Sequence, residues 1–174
     1  SWPVPKIFRM TKGGKLIEDI WEGSPINTTS MLAVEDYIDT LRWAKNLKHA
    51  GKTGLDALVA KSMDNLHVTE DFVAKHDWID FLAETKETRS STSICFIIKA
   101  DWFKKLGEEK QRAFTKDVVS ILEKEGVAYD CAPYRDAPPG FRFWSGPTVE
   151  AADLKLALDW LAWAYEEVRA NFKA

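Results

Sequence analysis

Two arginines, Arg135 and Arg142, lie seven residues apart in the segment YRDAPPGFRFW. A guanidinium is always charged, and its planar fork can bind both oxygens of a carboxylate or phosphate. Pro-Pro-Gly predicts a turn, and GFRFW after it is typical of a short strand. Because side chains alternate across a strand, Phe141 and Phe143 would face the core and Arg142 the other side. The spacing allows an anion site; the alternative is a solvent-facing Arg142 whose stem lies on Trp144.

The polar segment INTTS, residues 26–30, is a second candidate site. Amide and hydroxyl groups ahead of a helix N-terminus can bind phosphate, because the first backbone N–H groups of a helix are unpaired. The alternative is that Thr28, Thr29 or Ser30 is only the N-cap of the following helix. Asn27 also begins an N-glycosylation pattern, but nothing else in the sequence indicates secretion.

Three further groups of residues give weaker signals. TKGGK lacks the strand and helix context of a P-loop and predicts a tight turn, in which Lys12 or Lys15 could meet an anion. The three histidines do not have metal-ligand spacing. Cys95 and Cys131 follow neither a metal-binding nor a catalytic pattern, so both are interpreted as core thiols of a protein in a reducing compartment.

The bulk composition narrows the possible classes of protein. The chain has 174 residues, 45% of them hydrophobic and 29% charged, which suits one ordinary domain. A net charge of −3 without a long basic run argues against nucleic acid as a partner. No apolar run reaches the length of a membrane span, and the first residues lack the apolar core of a signal peptide. We therefore expect a cytoplasmic protein that binds neither nucleic acid nor membrane.

Apolar residues recur at helical spacing in four segments. The first helix begins near Ser30 and should end at the glycine-marked NLKHAGKTG, and the second continues towards Ala74. The third ends before Gly126, a residue suited to the left-handed conformation after a helix, and the fourth takes Thr148 as its N-cap. The residues of their predicted apolar faces are Met31, Val34, Ile38 and Leu41; Leu55, Leu58, Val59, Ser62, Met63 and Leu66; Phe114, Val118 and Ile121; and Leu154, Leu158, Leu161, Tyr165, Val168 and Phe172.

Four short segments are predicted to be strands or extended: WIDFL, STSICFIIK, VAYDCAPY and GFRFW. STSICFIIK is the most apolar and β-branched of them, which favours a central position in the sheet. From residue 77 onward the predicted order is β-β-α-β-β-α. This order predicts an α+β sandwich, in which a small, largely antiparallel sheet carries helices on one face.

Taken together, the stretches PKIFRMTKGGKL, INTTSMLAVEDYIDTLRWA and YRDAPPGFRFWSGPTVE resemble one subgroup of the phosphoserine aminotransferase family. GLDALVAKSMDN, WIDFLA, TRSSTSICF and LEKEGVAYD extend the resemblance over nearly the whole chain. It implies a fold-type I aminotransferase of serine biosynthesis. Such an enzyme uses pyridoxal phosphate to move an amino group between phosphoserine and 2-oxoglutarate, and it is a homodimer.

The same resemblance implies roles for four residues. Arg142 corresponds to the arginine that binds the substrate carboxylate, and Arg135 to one of a basic pair that binds the substrate phosphate. Asn27 and Thr28 correspond to a pair that reaches the cofactor phosphate of the neighbouring subunit. In better-known branches of the family the basic pair reads His-Arg, and its spacing to the later arginine is one residue shorter. Tyr134 therefore departs from the family pattern.

The resemblance also implies what this chain does not supply. The family's Schiff-base lysine precedes the matched region, and neither Lys6, Lys12 nor Lys15 has its sequence context. We therefore expect residues 1–48 to be the end of a large cofactor domain with a connecting helix, and 49–174 to be the small C-terminal domain. Such a chain would need the N-terminal half of the enzyme and would be inactive alone.

Two alternatives to this assignment stay open. The first is another aminotransferase of the same class, acting on alanine and glyoxylate, which would keep Arg142 without a phosphate clamp at Arg135. The second is a non-catalytic interaction module that has kept the fold of the small domain.

Overall fold

The computed structural model describes residues 3–5, 8–19, 21–24 and 27–172. The chain divides into two compact units, Ser1–Asn46 and Leu47–Ala174. Lys6 and the first residue of INTTS lie outside the described residues. The assignment of residues 1–48 to a cofactor domain stays a prediction.

In its described residues, the first unit contains one hairpin and one helix. Strands β1 (Thr11–Lys12) and β2 (Lys15–Leu16) pair antiparallel. The two glycines between them have φ angles of 59° and 78°, which is the left-handed geometry of a tight two-residue hairpin turn. Helix α1 spans Met31–Asn46. The predictions of a tight turn at TKGGK and of a helix near Ser30 are confirmed.

The second unit is built on a three-stranded antiparallel sheet. Strands β5 (Ile79–Phe81), β6 (Ser93–Ile98) and β7 (Gly140–Trp144) lie in the order β5-β6-β7. The central position predicted for STSICFIIK is therefore confirmed. The register places Cys95 of β6 opposite Arg142 of β7. A small hairpin, β3 (Lys48–His49) and β4 (Lys52–Thr53), precedes the first helix of this unit.

Helices cover one face of this sheet. They are α2 (Gly54–Lys75), the short α3 (Asp101–Lys104), α4 (Glu108–Lys124) and α5 (Ala151–Asn171), and α5 packs against both α2 and α4. Phe141 and Phe143 are buried as predicted, and the ring of Trp78 stacks on Tyr165 at 3.8 Å. An antiparallel sheet with its helices on one face is the predicted α+β fold, which is confirmed.

The apolar face predicted for α2 is only partly correct, since Ser62 and Leu66 are buried as predicted and other members of the face are not. Leu55 is 74% exposed and Val59 53% exposed, whereas the buried side of the helix includes polar residues. Hydrophobic spacing missed the rest of the buried face because two of its polar residues, Lys61 and Asn65, bond to groups far along the chain. The buried residues of α2 are Ala57, Lys61, Ser62, Asn65, Leu66, Thr69 and Phe72.

One predicted strand and one predicted helix boundary also differ from the structure. VAYDCAPY is irregular and contains no regular strand, because Asp130 has a φ of 55° and Pro133 cannot donate a backbone hydrogen bond. One backbone bond, from Arg142 N to Cys131 O at 2.9 Å, still holds this segment beside β7. The N-cap of α5 is Glu150 and not Thr148, whose hydroxyl instead accepts a hydrogen bond from Trp144.

Candidate functional site

The face of the sheet that points away from the helices carries the candidate site. Side chains alternate along each strand, so the residues between the core positions share this second face. We call this the open face; its side chains are half-buried or exposed within the described residues. The open face consists of Asp80, Ser93, Cys95, Ile97, Arg142 and Trp144.

Arg142 is held by the irregular segment before β7. Its Nη2 donates to Asp130 Oδ2 at 2.8 Å and approaches the Asp130 backbone carbonyl at 3.3 Å. Its Nε lies 3.4 Å from Ala132 O, and its Nη1 lies 3.5 Å from the hydroxyl of Tyr134. The guanidinium carbon also lies 4.4 Å from the centre of the Tyr134 ring, within the range of a cation–π contact. The side chain of Arg142 is only 19% exposed.

The electrostatics follow from these contacts. The hydrogen bond to Asp130 raises the pKa of the Arg142 guanidinium above its ordinary value, while burial acts in the opposite direction. Arg142 is therefore a permanent cation on the open face. Such a cation, with a planar fork and an aromatic ring against it, has the chemistry of a carboxylate-binding arginine.

The local sequence explains how Asp130 reaches Arg142. Aspartate tolerates the left-handed backbone better than most residues, and Asp130 adopts it. The next residue, Cys131, is 3% exposed and anchors the segment in the core. Asp130 could not be identified from the sequence as a partner of Arg142, because the irregular backbone hides which side chains of VAYDCAPY face β7.

Arg135 lies in a turn next to this cluster. A backbone bond from Ala137 N to Tyr134 O at 3.0 Å closes the turn, and Arg112 of α4 donates to Ala137 O at 3.1 Å. The Arg135 side chain is exposed, and within the described residues it forms no hydrogen bond or ion pair. The structure thus places Arg135 directly after the residue that stacks on Arg142, with its donors available to a ligand.

The segment after β7, residues 145–150, is also fixed, and we call it the connector. Asn65 of α2 is completely buried, and its Nδ2 lies 3.0 Å from Ser145 O, 3.2 Å from Gly146 O and 3.0 Å from Val149 O. Lys61, one turn earlier in α2, pairs with Glu150. Sequence reasoning missed both α2 residues, because it assigned the buried face of this helix by hydrophobicity.

Trp144 also packs onto the connector. Its indole Nε1 donates to Thr148 Oγ1 at 2.9 Å. A Cβ atom at Gly146 would lie 2.4 Å from the Trp144 ring, so only glycine leaves room for the ring in this position. The connector therefore holds the end of β7 that follows Arg142.

Asn27 and Thr28 lie in the first unit, shortly before α1, and both are exposed. Ser30 is the capping residue of the helix: its hydroxyl accepts from Ala33 N at 3.5 Å and its carbonyl accepts from Val34 N. Among the described residues, neither Asn27 nor Thr28 has a side-chain hydrogen-bond partner, so their amide and hydroxyl donors can serve a ligand. A phosphate suits such donors ahead of a helix N-terminus.

The two cysteines differ in their surroundings. Cys131 is buried as predicted, and burial raises the pKa of its thiol to about 11. The prediction that Cys95 is a core thiol is wrong, because Cys95 is half-buried on the open face opposite Arg142. Burial nevertheless raises the pKa of Cys95, although the charge of Arg142 lowers it in part.

The parts of the chain that the structure describes contain neither a group of potential metal ligands nor a helix that could span a membrane. No three His, Cys, Asp or Glu residues there are grouped so that they could hold a metal ion. None of the described helices combines the length and the apolar character needed to cross a membrane.

Comparison with known proteins gives relatives over nearly the whole chain. Phosphoserine aminotransferase of Methanosarcina barkeri is 54% identical over 169 residues, and that of Methanosarcina mazei is 53% identical over 169 residues. Each match covers 97% of this chain and 42% of the relative, so the chain spans about two-fifths of their length. No protein-family model matches the chain.

A solved structure supports the fold. It is described as showing radiation damage of the Schiff base in phosphoserine aminotransferase, and it superimposes with a TM-score of 0.59 at 14% identity. The superposition covers 86% of this chain and 37% of that one. At this identity the likeness concerns the fold alone.

Proposed function

The chain belongs to the phosphoserine aminotransferase family, whose C-terminal segment it matches, and we propose that it supplies the substrate-anion contacts of such an enzyme. The observation that carries the proposal is Arg142, a permanent cation held on the open face by hydrogen bonds and an aromatic ring. The reaction we assign to the whole enzyme is amino-group transfer between phosphoserine and 2-oxoglutarate.

Arg142 would bind the carboxylate next to the reacting carbon. Both proposed substrates carry a carboxylate at that position, so one arginine can serve both. Its planar fork can donate to two carboxylate oxygens at once, which orients the substrate as well as binding it. The ring of Tyr134 limits the rotation of the guanidinium and thus supports this orientation.

Arg135 would bind the phosphate of phosphoserine. Its side chain is exposed in a turn that is closed by Tyr134 and Ala137 and tied to α4. A phosphate bound there would contact the Arg135 side chain, and the backbone that carries this side chain is already held in place by the turn. Tyr134 would not act as a phosphate ligand, since its ring lies against Arg142.

Asn27 and Thr28 would contact the phosphate of pyridoxal phosphate bound to the neighbouring subunit of a homodimer. Their exposed amide and hydroxyl groups precede α1, and this donor set fits a phosphate group. When bound, the cofactor supplies the electron sink for amino transfer. The lysine that holds it covalently would come from the N-terminal half of the enzyme, which makes this chain inactive alone.

The remaining assignments follow from the same proposal. The partner of this chain would be the N-terminal half of the enzyme, and the location would be the cytoplasm. No nucleic acid or membrane is required by any of the residues that carry the proposed function.

The test is an enzyme reconstituted from this chain and the N-terminal part of a Methanosarcina relative. Arg142→Ala should weaken binding of both phosphoserine and 2-oxoglutarate by about 1.5–3 kcal/mol, the usual contribution of a charged hydrogen bond. Arg135→Ala should weaken the binding of phosphoserine but not that of 2-oxoglutarate. Arg169→Ala, in an exposed helical ion pair, is the matched control. Unchanged affinity in the Arg142 variant would refute the proposal.

The same experiment separates the two alternatives. If Arg142→Ala weakens binding but Arg135→Ala has no effect on phosphoserine, an aminotransferase acting on alanine and glyoxylate is favoured. If the reconstituted protein binds no cofactor and neither variant changes anything, the chain is a non-catalytic module.

A further inference from the structure

We infer that the carboxylate of Asp130 is an internal occupant of the Arg142 site, and that a substrate carboxylate binds there by displacing it. This inference rests on the proposed role of Arg142 as the carboxylate ligand. It adds Asp130 as a residue that sets how strongly the site binds its anion.

The geometry shows that the fork of Arg142 is already in use. Nη2 donates to Asp130 Oδ2 at 2.8 Å and approaches Asp130 O at 3.3 Å, so the partners of both its N–H groups come from one residue. The contacts of Nε and Nη1, at 3.4 and 3.5 Å, are long for hydrogen bonds. The strong contact of the guanidinium is therefore the one with the Asp130 carboxylate.

A two-point contact with a substrate carboxylate needs the same nitrogen. A carboxylate can approach a guanidinium end-on, through Nη1 and Nη2, or side-on, through Nε and Nη2. Both modes use Nη2, which Asp130 occupies. A substrate that binds in either mode must first separate Asp130 from Arg142.

Separating Asp130 from Arg142 costs little free energy, because the Asp130 carboxylate is exposed to water. The Asp130 side chain is 83% exposed, while that of Arg142 is 19% exposed. Ion pairs with an exposed partner contribute little to stability, and a released carboxylate is hydrated at once. The Tyr134 ring remains against the guanidinium during the exchange and keeps it in place.

The ligand class follows from this exchange. An anion with two oxygens in a plane, such as a carboxylate, can replace the Asp130 contact and add a second bond to Nη1 or Nε. A monatomic anion such as chloride offers one acceptor atom to both N–H groups, so its two contacts are bent and weaker than a pair of parallel hydrogen bonds. The internal carboxylate therefore favours ligands that use both arms of the fork.

The test compares two variants of equal charge change in the reconstituted enzyme. Asp130→Asn keeps the shape of the side chain and the tolerance for a positive φ, but it removes the competing charge. Glu166→Gln is the matched control, because Glu166 is exposed on α5, away from the open face, and pairs with Arg169 at 3.6 Å. We expect Asp130→Asn to tighten 2-oxoglutarate binding by about two- to fivefold, the range of an exposed ion pair, and Glu166→Gln to leave it unchanged.

Weaker binding in Asp130→Asn would overturn the inference, because it would mean that Asp130 supports Arg142 in binding the substrate. Unchanged binding would overturn it too, because it would mean that Asp130 does not compete with the substrate. Asp130→Gly, which also accepts the left-handed backbone, repeats the test without any side chain. Arg142→Ala in the same assay separates the two failures. If Arg142→Ala weakens 2-oxoglutarate binding and neither Asp130 variant tightens it, only this inference fails. If Arg142→Ala has no effect on binding, the proposed function fails.

Discussion

The side-chain amide of Asn65 lies 3.0 Å from the backbone carbonyl of Ser145, a residue 80 positions later in the chain. The same nitrogen is within reach of the carbonyls of Gly146 and Val149, so one buried amide contacts three of the six residues of the connector. The connector follows directly after β7, the strand of Arg142. A polar residue of α2 thus helps to fix the segment that follows the strand of the candidate site.

Replacing Asn65 with leucine should destabilise the protein by about 2–3 kcal/mol, because three backbone carbonyls would lose a buried donor. The free energy of unfolding, measured by denaturant titration, checks this. Asn171→Leu is the control, since Asn171 is exposed near the end of α5 and should change stability little. Equal unfolding midpoints for Asn65→Leu and the wild type would show that the amide does not hold the connector.

Replacing Ala50 with asparagine should stabilise the protein. Ala50 has a φ of 49° in the turn between β3 and β4, and Gly51 follows with 75°. Asn-Gly is the favoured pair in a turn of this type, whereas alanine is strained there. We expect the free energy of unfolding of the variant, measured by thermal unfolding, to be higher by about 0.5–1 kcal/mol. A lower melting temperature in Ala50→Asn would contradict the turn geometry. Ala113→Gly, in the exposed middle of α4, is the control and should lower the free energy of unfolding by a similar amount.

Gly140→Ala should be strongly destabilising. An added Cβ at Gly140 would lie 2.0 Å from the backbone oxygen of Phe96 in the neighbouring strand, so β6 and β7 would have to separate. We expect a loss of about 3 kcal/mol, at the upper end of overpacking effects. Gly107→Ala is the matched control, because its Cβ would meet no atom within 4 Å and its φ is negative. Similar stabilities for the two variants would contradict the strand pairing at Gly140.

Thiol chemistry should separate the two cysteines. Cys95 is half-buried, whereas Cys131 is buried with a pKa of about 11, so a thiol reagent at pH 8 should modify Cys95 first. Modification of Cys95 should still be slower than that of a free thiol, because burial raises its pKa too. Mass spectrometry of the labelled protein measures both rates. Faster labelling of Cys131 would contradict the placement of the two residues.

The raised pKa of Cys131 also gives a pH dependence with a definite sign. Above the ordinary thiol pKa of 9.0 the unfolded chain loses this proton, while the folded chain keeps it until about pH 11. The folded state is therefore favoured below pH 9, and its advantage falls as the pH rises from 9 to 11. Cys131→Ala lacks this effect, so its stability relative to the wild type should increase over that range in urea titrations. A constant difference would contradict the burial of a neutral thiol.

The sequence predicted the regular parts of the fold and only a part of the site. Apolar spacing found α4, α5 and the central β6, because these elements bury hydrophobic residues on one side. It found α2 but only part of its buried face, because Asn65 and Lys61 are buried through hydrogen bonds to residues 80–89 positions away. Only the folded chain brings such partners together, so a local pattern could not reveal them.

Within the candidate site, the alternation of GFRFW placed Arg142 on the face opposite the core. The contact with Asp130 could not be predicted, because it depends on one left-handed residue in a segment without regular structure. The resemblance to aminotransferases supplied the proposed roles of Arg135, Asn27 and Thr28, and these roles stay predictions.

Binding of 2-oxoglutarate to the reconstituted enzyme carrying Arg142→Lys tests the central claim most directly. Lysine keeps the positive charge on the open face but cannot bind two carboxylate oxygens with a planar fork. We predict that the variant binds 2-oxoglutarate about tenfold or more weakly than the wild type, which corresponds to about 1.4 kcal/mol or more. Wild-type affinity in the lysine variant would contradict the claim that Arg142 is the carboxylate fork.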